Sequence, residues 1–241
     1  AEHDALLRTI ARAGTALYCV SRHFDDPALP RALGAQLGLH RLDANWLADE
    51  DGVSHITVGD AQDGEGRGGF IPYTDRAIRW HTDGYYQPAE RRIRGMILHC
   101  VRPAHSGGET GLLDHELAYL ALRDESPVLV RALMAPEAMT IPARMDDQGV
   151  ARAAQSGPVF SRDDAGHLHM RYTARSRSIE WKDDPPTRAA VPRLAALLDG
   201  GSPWVLRATL AAGEGLVGHN LLHERSAFID ATVTITITRT P

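Results

Sequence analysis

Apolar residues recur along this chain in two rhythms. In residues 4–14 (DALLRTIARAG) they fall at helical spacing and stop at a glycine, which predicts a helix ending at Gly14. Residues 26–39 (DPALPRALGAQLGL) predict a second short helix. The run 115–134 (HELAYLALRDESPVLVRALM) keeps helical periodicity but breaks at Ser126-Pro127, so two helices are expected there. Residues 185–201 predict a helix closed by Gly200-Gly201, with Pro192 inside it. The other rhythm is extended. TALYCV (15–20), VSHITV (53–58), RGMILHCVRP (94–103), PWVLRATL (203–210) and EGLVGHNLLH (214–223) are compact apolar runs that predict strands. TVTITITRT (232–240) alternates Thr with Val or Ile, the period of a half-buried strand. HLHMRYTARSRSIEW (167–181) also suggests extended chain. Between these lie a glycine-rich segment (59–75), a turn over 105–114 and a polar stretch (142–160), the last expected as a mobile loop. Many short strands with few helices point to a mainly β sandwich or barrel with flanking helices. A single domain over residues 1–241 is expected from the length.

Composition narrows the function classes. The net charge of −5 and the lack of a basic stripe argue against a nucleic-acid partner. No apolar run reaches the roughly 20 residues of a membrane helix, and the first residues do not resemble a secretory signal. A cytoplasmic location follows as the default. Cys19 and Cys100 are too few for a disulfide framework and are expected as buried core cysteines. His99 is expected as a hydrogen-bonded core histidine. The glycines of 59–75 do not make a phosphate loop, because no Gly-Lys-Ser/Thr follows them.

The chemistry concentrates in IRWHTDGYYQP (78–88). In extended chain, residues two apart share a side, so His81 and Asp83 can face one interior while Thr82 turns away. An imidazole nitrogen and a carboxylate oxygen form two legs of a metal site. His219 or His223, in GHNLLHERSAF, can supply the third. Two histidines and one carboxylate on one face of an octahedron suit non-haem Fe(II) chemistry. Trp80, Tyr85 and Tyr86 either wall the site or pack beside it.

The ordered set WHTDGYY (80–86), GGET (107–110) and HERSAF (223–228) resembles the taurine dioxygenase and clavaminate synthase-like superfamily of Fe(II)- and 2-oxoglutarate-dependent oxygenases. The resemblance runs over roughly residues 70–239. It implies a double-stranded β-helix core, the cupin-like jelly roll. It also implies His81 and Asp83 as the proximal ligands. The His-x-Arg-Ser-x-Phe context of His223, Arg225, Ser226 and Phe228 then makes His223, not His219, the distal one. Thr110 matches a threonine that meets the far carboxylate of 2-oxoglutarate. The family's arginine for that carboxylate would fall within residues 233–237, which here read VTITI; the arginine of that last strand is Arg239, an even number of positions beyond His223. Arg171, Arg175 and Arg177 share a strand face that is either solvated or reaches the pocket, with Arg175 as the candidate substrate contact. Under the resemblance, Fe(II), 2-oxoglutarate and O2 together oxidise an unactivated C–H bond, by default to an alcohol, while 2-oxoglutarate becomes succinate. The substrate would be a small anionic or amino-acid-like metabolite. The alternatives are a jelly-roll metal-binding module that has lost conventional 2-oxoglutarate use, or a zinc hydrolase with Glu109 or Asp114 as base.

Overall fold

The structure is a computed structural model that describes residues 1–43, 53–57, 70–146, 149–175, 179–199, 201–229 and 234–240. In chain order its elements begin with α1 (Glu2–Ala13), β1 (Thr15–Cys19), α2 (Leu29–Gln36), β2 (Val53–Thr57), β3 (Ile78–His81), β4 (Gly95–Arg102), β5 (Ser106–Gly107) and β6 (Thr110–Leu113). They continue with α3 (His115–Glu125), α4 (Pro127–Leu133), β7 (Met139–Ile141), β8 (Arg144–Asp146), β9 (Gly149–Arg152), β10 (Gln155–Gly157), β11 (Phe160–Arg162), β12 (Leu168–Met170) and β13 (Glu180–Trp181). The last are α5 (Pro185–Asp199), β14 (Leu206–Ala208), β15 (Glu214–His219), β16 (Leu222–Arg225), β17 (Phe228–Ile229) and β18 (Thr234–Thr240). The contacts form two compact units: Ala1–Ile78 with Ile93–Gly111 and Arg207–Pro241, and Arg79–Arg92 with Leu112–Leu206.

The first unit is built on a five-stranded sheet in the order β1-β15-β4-β18-β2. Every pairing in it is antiparallel. The order interleaves distant segments, so no strand finds a partner next to it in sequence. The α1 helix ends where its pattern predicted: Gly14 takes φ 73° and its N–H donates to Ile10 O. That left-handed stop suits glycine. Leu6 and Ile10 of α1, with Leu33 of α2 and the following Leu37, then pack on Ala16, Ile97 and Val217 of the sheet.

His99 is fully buried on β4 and hydrogen-bonded at both nitrogens. A carbonyl can only accept, so Nε2 carries the hydrogen toward Phe24 O (2.7 Å), and Nδ1 accepts from the Tyr18 hydroxyl (3.1 Å). Burial pushes the Tyr18 phenol well above its ordinary range, which keeps that hydroxyl a donor. Cys100 is buried as expected, whereas Cys19 is exposed, because it ends an edge strand; both are free thiols.

In the second unit α3, α4 and α5 pack together around Ala118, Leu122, Leu129, Leu133, Ala190 and Leu194. Ser126 ends α3 and caps α4, its hydroxyl accepting from Val128 N at 3.3 Å. The helix break at Ser126-Pro127 is therefore a working cap. The polar stretch 142–160, expected as a loop, instead forms β8, β9 and β10. Gly149 opens β9 opposite Asp146, at a φ of 120° that is open to glycine alone. Residues 105–114, expected as a turn, contain the wholly buried strand β6. The predicted strand 203–210 shortens to β14, and 214–223 breaks at Asn220 into β15 and β16. Residues 58–69 of the glycine-rich segment lie outside the described residues.

Arg171 corrects the reading of a solvated arginine face. Its guanidinium turns inward onto main-chain carbonyls: Nε donates to Pro158 O (3.4 Å), Nη1 to Gln155 O (3.1 Å), and Nη2 to Gly157 O (3.0 Å) and Met139 O. Burial lowers its pKa to about 10. Arg175 is exposed, and Arg177 lies outside the described residues.

A Cβ on Gly215 would stand 2.4 Å from the Tyr18 hydroxyl oxygen and 2.6 Å from Leu98 O. Gly215→Ala is expected to displace Tyr18 and cost about 1–3 kcal/mol, the usual range for overpacking a core. Urea unfolding of the two proteins, with an unchanged m-value, measures it.

Candidate metal centre

His81 closes β3, and Asp83 lies two residues on. Thr82 between them is fully buried and doubly tied to Tyr172. Its N–H donates to Tyr172 O (3.0 Å), and its hydroxyl accepts from Tyr172 N (3.1 Å). With Thr82 committed to that side, His81 and Asp83 share the other, as the extended-chain parity requires. The Nε2 of His81 lies 3.9 Å from Asp83 Oδ1.

The Nδ1 of His81 lies 2.9 Å from Arg79 O, and the Nδ1 of His223 lies 2.9 Å from Leu221 O. Each histidine thus uses the carbonyl two residues before it. A carbonyl accepts only, so in both rings Nδ1 carries a hydrogen and Nε2 is the nitrogen that can serve a metal. Outer hydrogen bonds of this kind set the tautomer and aim of metal-binding histidines. His81, Asp83 and His223 each offer one ligand atom, and these atoms all lie within 4.8 Å of one another. The donor set is two imidazole nitrogens and one carboxylate oxygen, which fits a first-row divalent metal with positions left open. His219, on β15, is exposed and is not one of the three; its N–H donates to Gly14 O.

The remaining predicted residues stand as follows. Thr110 opens β6, is 6% exposed, and lines a pocket with Cys100, Leu210, Arg225 and Phe228. Arg225 is buried, donating to Pro72 O (3.3 Å), Thr74 O (2.7 Å) and Arg76 O (2.9 Å), with its guanidinium 4.7 Å over the Phe228 ring. Burial lowers its pKa to about 10. It ties β16 to the 72–76 turn. The backbone of Arg239 stands opposite Met96 in the β18–β4 ladder, and its side chain lies outside the described residues. Trp80 is core; Tyr85 and Tyr86 meet edge to face at 5.3 Å. Sequence reasoning passed over Arg152, which lies with its guanidinium 5.8 Å from the centre of the Tyr86 ring. The available signal was Gly149, which marks a hairpin turn just before it.

Residues 31–239 match the family model described as taurine catabolism dioxygenase TauD, TfdA family. The chain belongs to that family. It is 35% identical over 156 residues to a uridine-5'-phosphate dioxygenase of Amycolatopsis sp, covering 63% of this chain and 55% of that protein. A uridine-5'-phosphate dioxygenase of Streptomyces sp is 34% identical over 168 residues, covering 66% of this chain and 58% of that one. The chain thus spans under three fifths of the length of these curated relatives. Among solved structures, an asparagine oxygenase in complex with Fe(II), 2S,3S-3-hydroxyasparagine and succinate superposes with a TM-score of 0.70 at 16% identity, over 99% of this chain and 77% of that chain. The non-heme iron oxygenase OrfP in complex with Fe and alpha-ketoglutaric acid gives 0.70 at 17% identity, over 99% and 78%. At such identities the likeness is one of fold. The fold is accordingly the mainly β jelly roll with flanking helices. No helix among the described residues is long and apolar enough to cross a membrane.

His81→Ala and Asp83→Ala are each expected to weaken Fe(II) binding by more than the about 10- to 100-fold that losing an outer hydrogen-bond partner costs. His219→Ala is expected to bind as the parent does. Anaerobic equilibrium dialysis with metal analysis compares the three.

Proposed function

We propose that this TauD/TfdA-family chain carries an Fe(II)- and 2-oxoglutarate-dependent oxygenase activity on a small phosphorylated metabolite, a nucleoside monophosphate being the favoured class. The observation that supports it most directly is the cluster of ligand atoms, two imidazole nitrogens and one carboxylate oxygen, at His81, His223 and Asp83. The substrate class draws on the two relatives named for uridine-5'-phosphate, and it fits the expectation of an anionic substrate.

Bound iron, with 2-oxoglutarate and O2, supplies the oxidation of an unactivated C–H bond, and 2-oxoglutarate leaves as succinate and CO2. The protein's own part is to hold, orient and shield. His81, Asp83 and His223 occupy three metal positions and leave the others open. Their carbonyl-bound Nδ1 hydrogens aim both imidazoles, with Nε2 as the nitrogen turned to the metal. The Thr110 hydroxyl donates to the far carboxylate of 2-oxoglutarate, with the buried Arg225 in the same pocket wall. Arg239, on β18, is the last-strand arginine for that carboxylate. Arg175, exposed on its segment, is an outer contact for the substrate. The departure at residues 233–237 favours a second reading, a metal-binding chain without conventional 2-oxoglutarate use.

One titration separates the two. Under argon, 2-oxoglutarate added to the Fe(II) form is expected to raise a weak visible charge-transfer band; admitting O2 with uridine 5'-phosphate should then yield succinate. His223→Ala should lose both signals. Metal binding with neither band nor succinate overturns the oxygenase reading and leaves the second.

Thr110→Val is expected to weaken 2-oxoglutarate about tenfold, the scale of losing one hydrogen bond to a charged group. The same band, titrated in the variant, gives the ratio.

A further inference from the structure

The β8–β9 hairpin brings Arg144 and Arg152 together as facing residues. Like charges set opposite each other in a ladder destabilise it. Arg152 is half-buried and held in a fixed pose. Its Nη2 donates to Pro142 O (2.7 Å), its Nη1 to Ala153 O (3.4 Å), and its guanidinium lies 5.8 Å from the centre of the Tyr86 ring.

The charged or polarising groups acting on Arg152 are Tyr85, Arg144 and Tyr86. Among the described residues no carboxylate is one of them. Other arginines with ion pairs, Arg188, Arg193 and Arg207, meet Asp183, Glu125, and Glu109 with Glu224 respectively. Arg171 resolves its burial differently, by directing all three of its nitrogens at carbonyls. Arg152 does neither: a guanidinium has five N–H donors, and carbonyls take only two of these among the described residues. A part-buried cation with donors to spare and a second cation beside it is built to receive an anion.

The position suits a substrate. Tyr85 and Tyr86 follow Asp83 by two and three residues in the same unit, so Tyr86 Cα lies within about 10 Å of Asp83 Cα by chain length alone. In a nucleoside monophosphate one ester oxygen separates phosphorus from the sugar carbons. A phosphate on this hairpin would lie beside Tyr86, on the segment that carries His81 and Asp83.

We propose that Arg152 and Arg144 seat the phosphate of the substrate, Arg152 through its planar fork and Arg144 as the facing charge. This deepens the oxygenase reading and rests on it for the reaction, though not for the anion seat itself.

The test uses the full chain without metal, titrated calorimetrically with uridine 5'-phosphate and with uridine. The parent is expected to bind the phosphate ester at least about tenfold more tightly than the nucleoside, with the difference shrinking as salt rises. Arg152→Met and Arg144→Met should each remove most of that difference and leave uridine binding within about twofold. Arg152→Lys keeps the charge without the fork and should fall between parent and Met; it decides the matter if Arg152→Met melts early by circular dichroism. A parent that binds both ligands alike, or variants that weaken both alike, overturns the proposal. A chain that shows the phosphate preference but makes no succinate keeps the anion seat and loses the oxygenase reading.

Discussion

Two hydrogen bonds of the same kind set the chemistry of the candidate centre. His81 and His223 each give the Nδ1 hydrogen to a carbonyl two residues back, Arg79 O and Leu221 O. A ring so committed cannot present Nδ1 to a metal, which leaves Nε2 as the nitrogen it can offer. Both bonds are local, i to i−2, so each strand orients its own imidazole. What they need from elsewhere is a backbone that stays extended. For His81 the two-way bond between Thr82 and Tyr172 supplies that, and the bridge from His81 to Thr173 continues it.

The chain disposes of its buried cations in distinct ways, and the differences carry functional meaning. Arg171 pins β7 and β10 by exhausting its donors on carbonyls. Arg225 ties β16 to the 72–76 turn and lays its face on Phe228. Both are paid for by structure, since removing either would strand several carbonyls. Among the described residues Arg152 makes only two such bonds, and it faces a second arginine across the hairpin.

Much of this was legible in the residues. The Gly14 helix stop, the break at Ser126-Pro127 and the Thr/Ile alternation of β18 are local signals, and local signals survive in sequence. Others misled for a physical reason. The strands within 142–160 are only three or four residues long, too short to show the apolar period that marks a strand. β6 hid behind its glycines; Gly111 sits where a Cβ would press within 2.9 Å of the Glu224 side chain, so it answers to packing and not to a turn.

The residues alone determined which side chains can bind a metal, that His81 and Asp83 share a side, and the family to which the ordered motifs point. Those follow from side-chain chemistry and from the two-residue repeat of extended chain, both of which travel with the sequence. Tertiary structure decided what depends on partners far along the chain. It grouped His223, not His219, with His81 and Asp83, turned Arg171 into a clamp, and set Arg152 opposite Arg144 beside Tyr86. A side chain's hydrogen bonds to remote carbonyls have no spacing rule, so only the folded chain could assign them.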